Sequence, residues 1–176
     1  LINFLIFSIS SIFFYKLLLN RFNNFYVSFI GTIFYVLSPR IYGSSFYNNK
    51  DTLFLSLVTI ALYYCFKSLD NLNYKNIIIF SIISAICTST RIIGIFIPVS
   101  FLLIFLMSKT SDKINYKTIY KILFYIILYY LFLVIHWPFL WEAPIKNFIW
   151  LITSTDQFLI KMEVMLFAHI ARAVLL

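Results

Sequence analysis

Acidic residues are scarce in this sequence. Only six of its 176 residues are Asp or Glu, and charges of both signs together make up 11%. A soluble domain carries about 25% charged residues. A chain this poor in charge lacks the polar surface that keeps a domain in water, which excludes a soluble globular fold. Glycine is rare as well, with three residues, and no phosphate-cradling glycine loop occurs. Neither a Cys-x-x-Cys, a metal-ligand spacing nor a Ser/His/Asp order is present. Cys65 and Cys87 lie inside apolar blocks, where they read as small buried or lipid-facing side chains rather than as a disulfide or metal pair.

Apolar residues are abundant, at 62%. They are gathered into blocks, as a bilayer requires and a globular core does not. A spanning helix needs about 17–25 largely apolar residues. About six blocks can be read, over 1–19, 25–37, 52–66, 76–90, 92–107 and 118–135. The expected fold is therefore an all-α, polytopic transmembrane helix bundle over residues 1–135. Blocks two, three and four are short. Tyr26, Tyr42, Tyr63, Tyr64 and Tyr74 are placed to extend them by sitting at headgroup level.

The net charge of +8 does not indicate a nucleic-acid partner, because the basic residues form no single stripe or patch. They alternate between connecting segments. One set holds Lys16, Arg21, Lys67, Lys75, Lys109, Lys113, Lys117 and Lys121, against Asp70 and Asp112. The other holds Arg40, Lys50 with Asp51, then Arg91, then the stretch after His136. The positive-inside rule places the first set in the cytoplasm and the second in the periplasm or a lumen. A multi-pass protein of a bacterial inner membrane, with its active face periplasmic, is the expected location.

Both ends lie in apolar sequence, Leu1 at the start and Ala173-Val174-Leu175-Leu176 at the finish. The expectation is a fragment of a longer polytopic protein. No basic segment precedes the first block and no small-residue cleavage site follows it, so a signal peptide does not explain it.

The residues with chemical potential lie in the outer segments. The first, 38–51, reads as an outer loop. Pro39 should end the second span. Asp51 directly precedes the third block and reads either as a helix N-cap or as the acid of a polar site. Arg40 either snorkels at the interface or meets a lipid phosphate through its bidentate fork. Lys50 either balances Asp51 or makes a second phosphate contact. Arg91, in Thr88-Ser89-Thr90-Arg91-Ile92-Ile93-Gly94, separates two apolar blocks with almost no loop. It is either a plain interfacial turn residue or an anion contact facing a polar site, since charges at membrane depth usually face a protein interior or a wet cavity.

Residues 136–176 form the last region. His136-Trp137-Pro138-Phe139-Leu140-Trp141-Glu142-Ala143-Pro144 combines an aromatic belt with a rigid turn. Pro144 fits the first position of a helix. Ile145, Phe148, Ile149 and Ile152 then recur at helical spacing, as an interfacial amphipathic helix would. A helical-looking tail follows, in which His169 and Arg172 receive no role. His136 is a satisfied polar residue or a ligand, and Glu142 is a further candidate for the site.

Taken in order, Ser38-Pro39-Arg40, Tyr47-Asn48-Asn49-Lys50-Asp51, Thr90-Arg91-Ile92-Ile93-Gly94 and Trp137-Pro138-Phe139-Leu140-Trp141-Glu142-Ala143-Pro144 resemble the protein O-mannosyltransferases and lipid A aminoarabinose transferases, polytopic glycosyltransferases of the GT-C fold. The resemblance covers most of the chain. It implies a polyprenyl-phosphate sugar donor used at the outer or lumenal face, an inverting transfer to an acceptor it does not identify, and, in some members, a divalent metal. Asp51 matches the family's later acid, which helps to shape the catalytic site. Arg91 falls where a family arginine sits, and Arg40 matches less closely. Lys50, His136 and Glu142 are the remaining substrate-binding candidates. The family's first outer loop, with its principal acidic pair, is expected upstream of Leu1, so residues 1–176 alone are expected to be inactive.

Two other functions fit a membrane bundle. Half of a transporter or flippase would carry charges deep within its spans and broken helices near the midplane. A non-catalytic membrane subunit would show no converging charges. The enzyme reading predicts an outer cavity lined by Asp51, Arg91 and also Arg40, opening sideways to membrane lipids.

Overall fold

The computed structural model describes residues 2–47, 49–108, 116–150 and 153. Lys109, Lys113, the end of the interfacial segment at Ile152, and the tail with His169 and Arg172 lie outside the described residues. Two units are distinguished, residues 1–136 and 137–176. The first contains seven helices among the described residues: α1 (Ile2–Phe22), α2 (Phe25–Val36), α3 (Pro39–Tyr47), α4 (Asn49–Asp70), α5 (Tyr74–Thr90), α6 (Phe96–Ser108) and α7 (Tyr116–His136). A short 3-10 turn, Ile92–Ile95, joins α5 to α6.

The architecture is an all-α membrane helix bundle. Three helical stretches are long and apolar enough to cross a bilayer: Ile2–Phe22, Lys50–Asp70 and Thr118–His136. Three shorter apolar stretches, Phe25–Ile41, Tyr74–Thr90 and Ile92–Met107, accompany them. At 1.5 Å per residue, α2 with 12 residues reaches only about 18 Å, against a hydrocarbon core of about 30 Å.

Local chemistry sets the helix ends. Asn23 takes a left-handed φ of 48°, and its N–H donates to the Leu19 carbonyl at 2.9 Å, closing α1. Asn24 then caps α2, its side chain accepting from the N–H groups of Tyr26 and Val27 at 2.9 and 3.4 Å. Pro39 does stand beyond α2, which ends at Val36, but it opens α3 rather than a loop. Proline lacks only an N–H that the first helical position leaves free. The outer segment read as a loop is thus largely helical. Asp51 likewise lies inside the first turn of α4, not at a cap before it, because α4 starts at Asn49. A carboxylate there still benefits from the positive end of the helix dipole.

Burial differs from that of a soluble protein, because small polar residues share the interior with Phe80, Phe101 and Leu133 while many large apolar side chains face outward. Ser10, Ser28, Ser56, Ser68, Ser81, Ser84 and Thr88 are fully buried, whereas Phe4, Phe34, Leu37, Met107 and Ile127 are exposed. Lipid covers apolar side chains as well as a core does, so helices meet instead through small residues and interhelical hydrogen bonds. Tyr35 of α2 shows this, its hydroxyl lying 3.3 Å from Ser10 Oγ of α1 and 3.3 Å from Thr59 Oγ1 of α4. Between α5 and α7, Ser84 meets the Tyr125 hydroxyl at 3.3 Å and Thr88 meets that of Tyr129 at 3.0 Å. Both pairs share one offset of 41 residues, so α5 and α7 run parallel. Phe80, Phe101 and Tyr125, with ring centroids 5.0 Å apart, lock α5, α6 and α7 together.

In the second unit, a 3-10 turn over Pro138–Leu140 precedes a helix that begins at Pro144. The Asn147 side chain donates to the Phe139 carbonyl at 2.7 Å, and the Phe139 and Trp150 rings lie 6.0 Å apart.

Candidate functional site

The hairpin of α4 and α5 builds the site. The two helices are joined by residues 71–73, tightened by Asn71 N–H to the Lys67 carbonyl at 3.1 Å and Asn73 N–H to the Asn71 carbonyl at 2.8 Å. Asp51 lies 19 residues before the end of α4, and Arg91 lies 17 residues after the start of α5. These are climbs of about 28 and 26 Å. Antiparallel packing therefore returns both to one level at the same end of the bundle. There the Arg91 guanidinium forms an ion pair with the Asp51 carboxylate. Their side chains keep 45% and 41% of their exposure, so the pair remains accessible to a ligand.

Arg91 is held by its backbone. It leaves α5 with φ −146° and ψ 131°, an extended conformation that stops the helix. Its N–H still donates to the Cys87 carbonyl at 3.1 Å, and its own carbonyl accepts from Gly94 at 2.8 Å. The 3-10 turn so formed folds tightly onto the end of α5. A Cβ on Gly94 would lie 2.6 Å from the Cys87 carbonyl carbon and oxygen and 2.7 Å from the Thr88 nitrogen. These are backbone atoms that cannot step aside. Glycine at 94 is thus what allows the turn to present Arg91.

His136, the last residue of α7, reaches the same end of α5, its Nδ1 2.9 Å from Ser89 Oγ. Ser89 lies two residues before Arg91. The parallel α5–α7 contact therefore brings His136 to the level of the ion pair. Arg40, in the first turn of α3, and Lys50, in the first turn of α4, are exposed. Among the described residues neither takes part in an ion pair. Glu142 is exposed in the second unit.

Sequence reading had named Asp51, Arg91 and His136. It missed Gly94 as the residue that fixes Arg91, and Ser89 as the partner of His136. Gly94 was recoverable from its place three residues beyond an arginine that interrupts two apolar blocks. Ser89 was not, because its partner lies 47 residues away on another helix.

Among the described residues no group of three or more His, Cys, Asp or Glu is placed to hold a metal. At the ion pair, Asp51 is the one carboxylate shown beside Arg91, and a cation there would also face the guanidinium.

Residues 1–141 match the sequence model of the family described as dolichyl-phosphate-mannose-protein mannosyltransferase. No curated protein and no solved structure matches the chain.

Proposed function

The chain belongs to the dolichyl-phosphate-mannose-protein mannosyltransferase family, and we propose that it serves the transfer of a sugar from a polyprenyl-phosphate donor to an acceptor at the face bearing Asp51 and Arg91. The observation that carries this reading is the ion pair, a cation and an acid brought together at one end of a membrane bundle. In the reaction, an acceptor oxygen attacks the anomeric carbon and the bond from that carbon to the phosphate oxygen breaks. The acceptor proton passes to a base, and the polyprenyl phosphate leaves with the bonding electrons and added negative charge. A guanidinium suits that charge, since it donates two parallel hydrogen bonds to phosphate.

Arg91 then holds the donor's phosphate. With no donor bound, Asp51 occupies the guanidinium and keeps it neutralised. Donor phosphate exchanges for the carboxylate, and Asp51 turns to orient the sugar or the acceptor. His136, braced by Ser89 at the same level, is a further polar contact. Arg40 and Lys50 add positive charge that draws an anionic headgroup to this face. Glu142 is a candidate acceptor contact. The charge bias of the connecting segments favours a periplasmic or lumenal position for this face in a bacterial inner membrane. The shorter apolar helices cross with the three long ones, giving about six spans with flanking aromatics at headgroup level.

The test is transfer of labelled hexose from a polyprenyl-phosphate hexose by the full-length protein in liposomes. Loss of turnover in Asp51→Asn, with the helices intact by circular dichroism, is the expected result. Undiminished turnover in that variant contradicts the assignment.

A further inference from the structure

The opposite end of the bundle carries a second polar feature, independent of the sugar-transfer reading. A cavity of about 420 Å³ lies between α1 and α4, lined by Leu17, Asn20, Arg21, Tyr63, Phe66 and Asp70. Its depth follows from helix geometry. Asp70 lies 19 residues along α4 from Asp51, or about 28 Å, close to the thickness of the hydrocarbon core. With Asp51 at one interface, the cavity is at headgroup level of the other leaflet.

The lining has a specific charge pattern. It contains one guanidinium, one carboxylate and one amide above apolar and aromatic walls. Arg21 and Asp70 line the same cavity, yet among the described residues they form no ion pair with each other. Each is left with a charge for something else. The neighbouring lysines are engaged differently. Lys16 Nζ lies 5.6 Å from the centre of the Phe13 ring, and Lys67 Nζ lies 5.6 and 5.9 Å from those of Tyr63 and Tyr64. Phe13 packs on Tyr63 and Tyr64 in turn, at 5.1 and 5.7 Å. This aromatic cluster fixes the wall of the cavity and the positive charges around it.

A purely anionic headgroup would gain Arg21 but meet the unpaired Asp70 carboxylate. A zwitterionic headgroup with a primary amine satisfies both, its phosphate on Arg21 and its ammonium on Asp70, with the Tyr63 and Phe66 rings beside the cation. Phe66, 49% exposed, offers the acyl chains an apolar edge. We propose that this cavity is a binding site for a primary-amine phospholipid, of the phosphatidylethanolamine type, in the leaflet opposite the Asp51–Arg91 pair.

The experiment is reconstitution in nanodiscs of phosphatidylethanolamine, phosphatidylglycerol and phosphatidylcholine in equal parts. Extraction follows, with mass spectrometry of the lipids that stay bound. Wild-type protein should retain phosphatidylethanolamine about 1.5- to 5-fold over the other two, the range expected of accessible ion pairs. Asp70→Asn should abolish the preference over phosphatidylglycerol, Arg21→Gln should lower total phospholipid retained, and Asp70→Glu should keep the wild-type pattern. Asp51→Asn, at the other end of α4, should keep the enrichment of phosphatidylethanolamine over phosphatidylcholine, which separates this site from the sugar-transfer site. Enrichment of phosphatidylglycerol in the wild type would show an anionic-lipid site instead. Equal retention of all three by the wild type would show no headgroup site, and either result overturns the proposal whether or not the variants fold.

Discussion

Asp51 and Arg91, forty residues apart in sequence, form an ion pair at one end of the α4–α5 hairpin. Both side chains stay more than two-fifths exposed. A pair this accessible contributes about 0–1 kcal/mol to folding. Under the proposed function, its position where an arginine breaks a membrane helix serves a ligand rather than stability.

Gly94 controls where Arg91 points. Gly94→Ala should clash with the backbone of Cys87 and Thr88. The expected cost is about 1–3 kcal/mol, the range of overpacked sites. Thermal unfolding in detergent should show a lowered midpoint, and sugar transfer should fall further than stability does. Gly43 is the control, since a Cβ there meets nothing within 4 Å. An equal effect of Gly43→Ala and Gly94→Ala would contradict this account.

The α5–α7 contact is held by packing more than by its hydrogen bonds. Tyr129→Phe removes the bond to Thr88, whose hydroxyl still reaches the Ser84 carbonyl at 2.9 Å. The loss should be about 0.6 kcal/mol, as for other interhelical bonds in membranes. Tyr125→Ala empties space beside Phe80 and Phe101 and should cost about 3 kcal/mol or more. Comparable losses from the two variants would show that the ladder itself dominates.

Orientation is open to chemical labelling. Lys50, at the start of α4, and Lys75, at the start of α5, should lie on opposite faces of the membrane, Lys75 in the cytoplasm. Single cysteines at these positions, treated with an impermeant thiol reagent on sealed vesicles, should label from opposite sides. Labelling of both from one side contradicts the proposed topology.

Much of this arrangement was legible in the sequence, and the physical reasons are specific. Long apolar runs such as 1–19 and 118–135 marked helices because a bilayer demands length and apolarity together. The return of Asp51 and Arg91 to one level followed from two helices of similar length with a short connection. The helix over Pro39–Tyr47 was not legible. Proline reads as a stop in a sequence, although it is equally at home at a helix start. The rungs between Ser84 and Tyr125 and between Thr88 and Tyr129 were hidden too. They depend on the rotation of α5 and α7 about their axes, which nearly uniform apolarity leaves unmarked. For the same reason, Ser89 could not be matched to His136.

In the proposed function Asp51 and Arg91 have separate tasks toward donor and acceptor, beyond holding each other. The most direct measurement is sugar transfer by the charge-exchanged double variant Asp51→Arg, Arg91→Asp, beside each single variant and with donor binding followed in parallel. Exchange restores the ion pair but moves the guanidinium from the phosphate position to the other side of the site. The double variant should recover stability, yet bind the polyprenyl-phosphate sugar at least about tenfold more weakly, a loss of about 1.4 kcal/mol, and remain inactive. Recovery of wild-type donor binding and turnover in the double variant would mean that the pair is a structural bridge only.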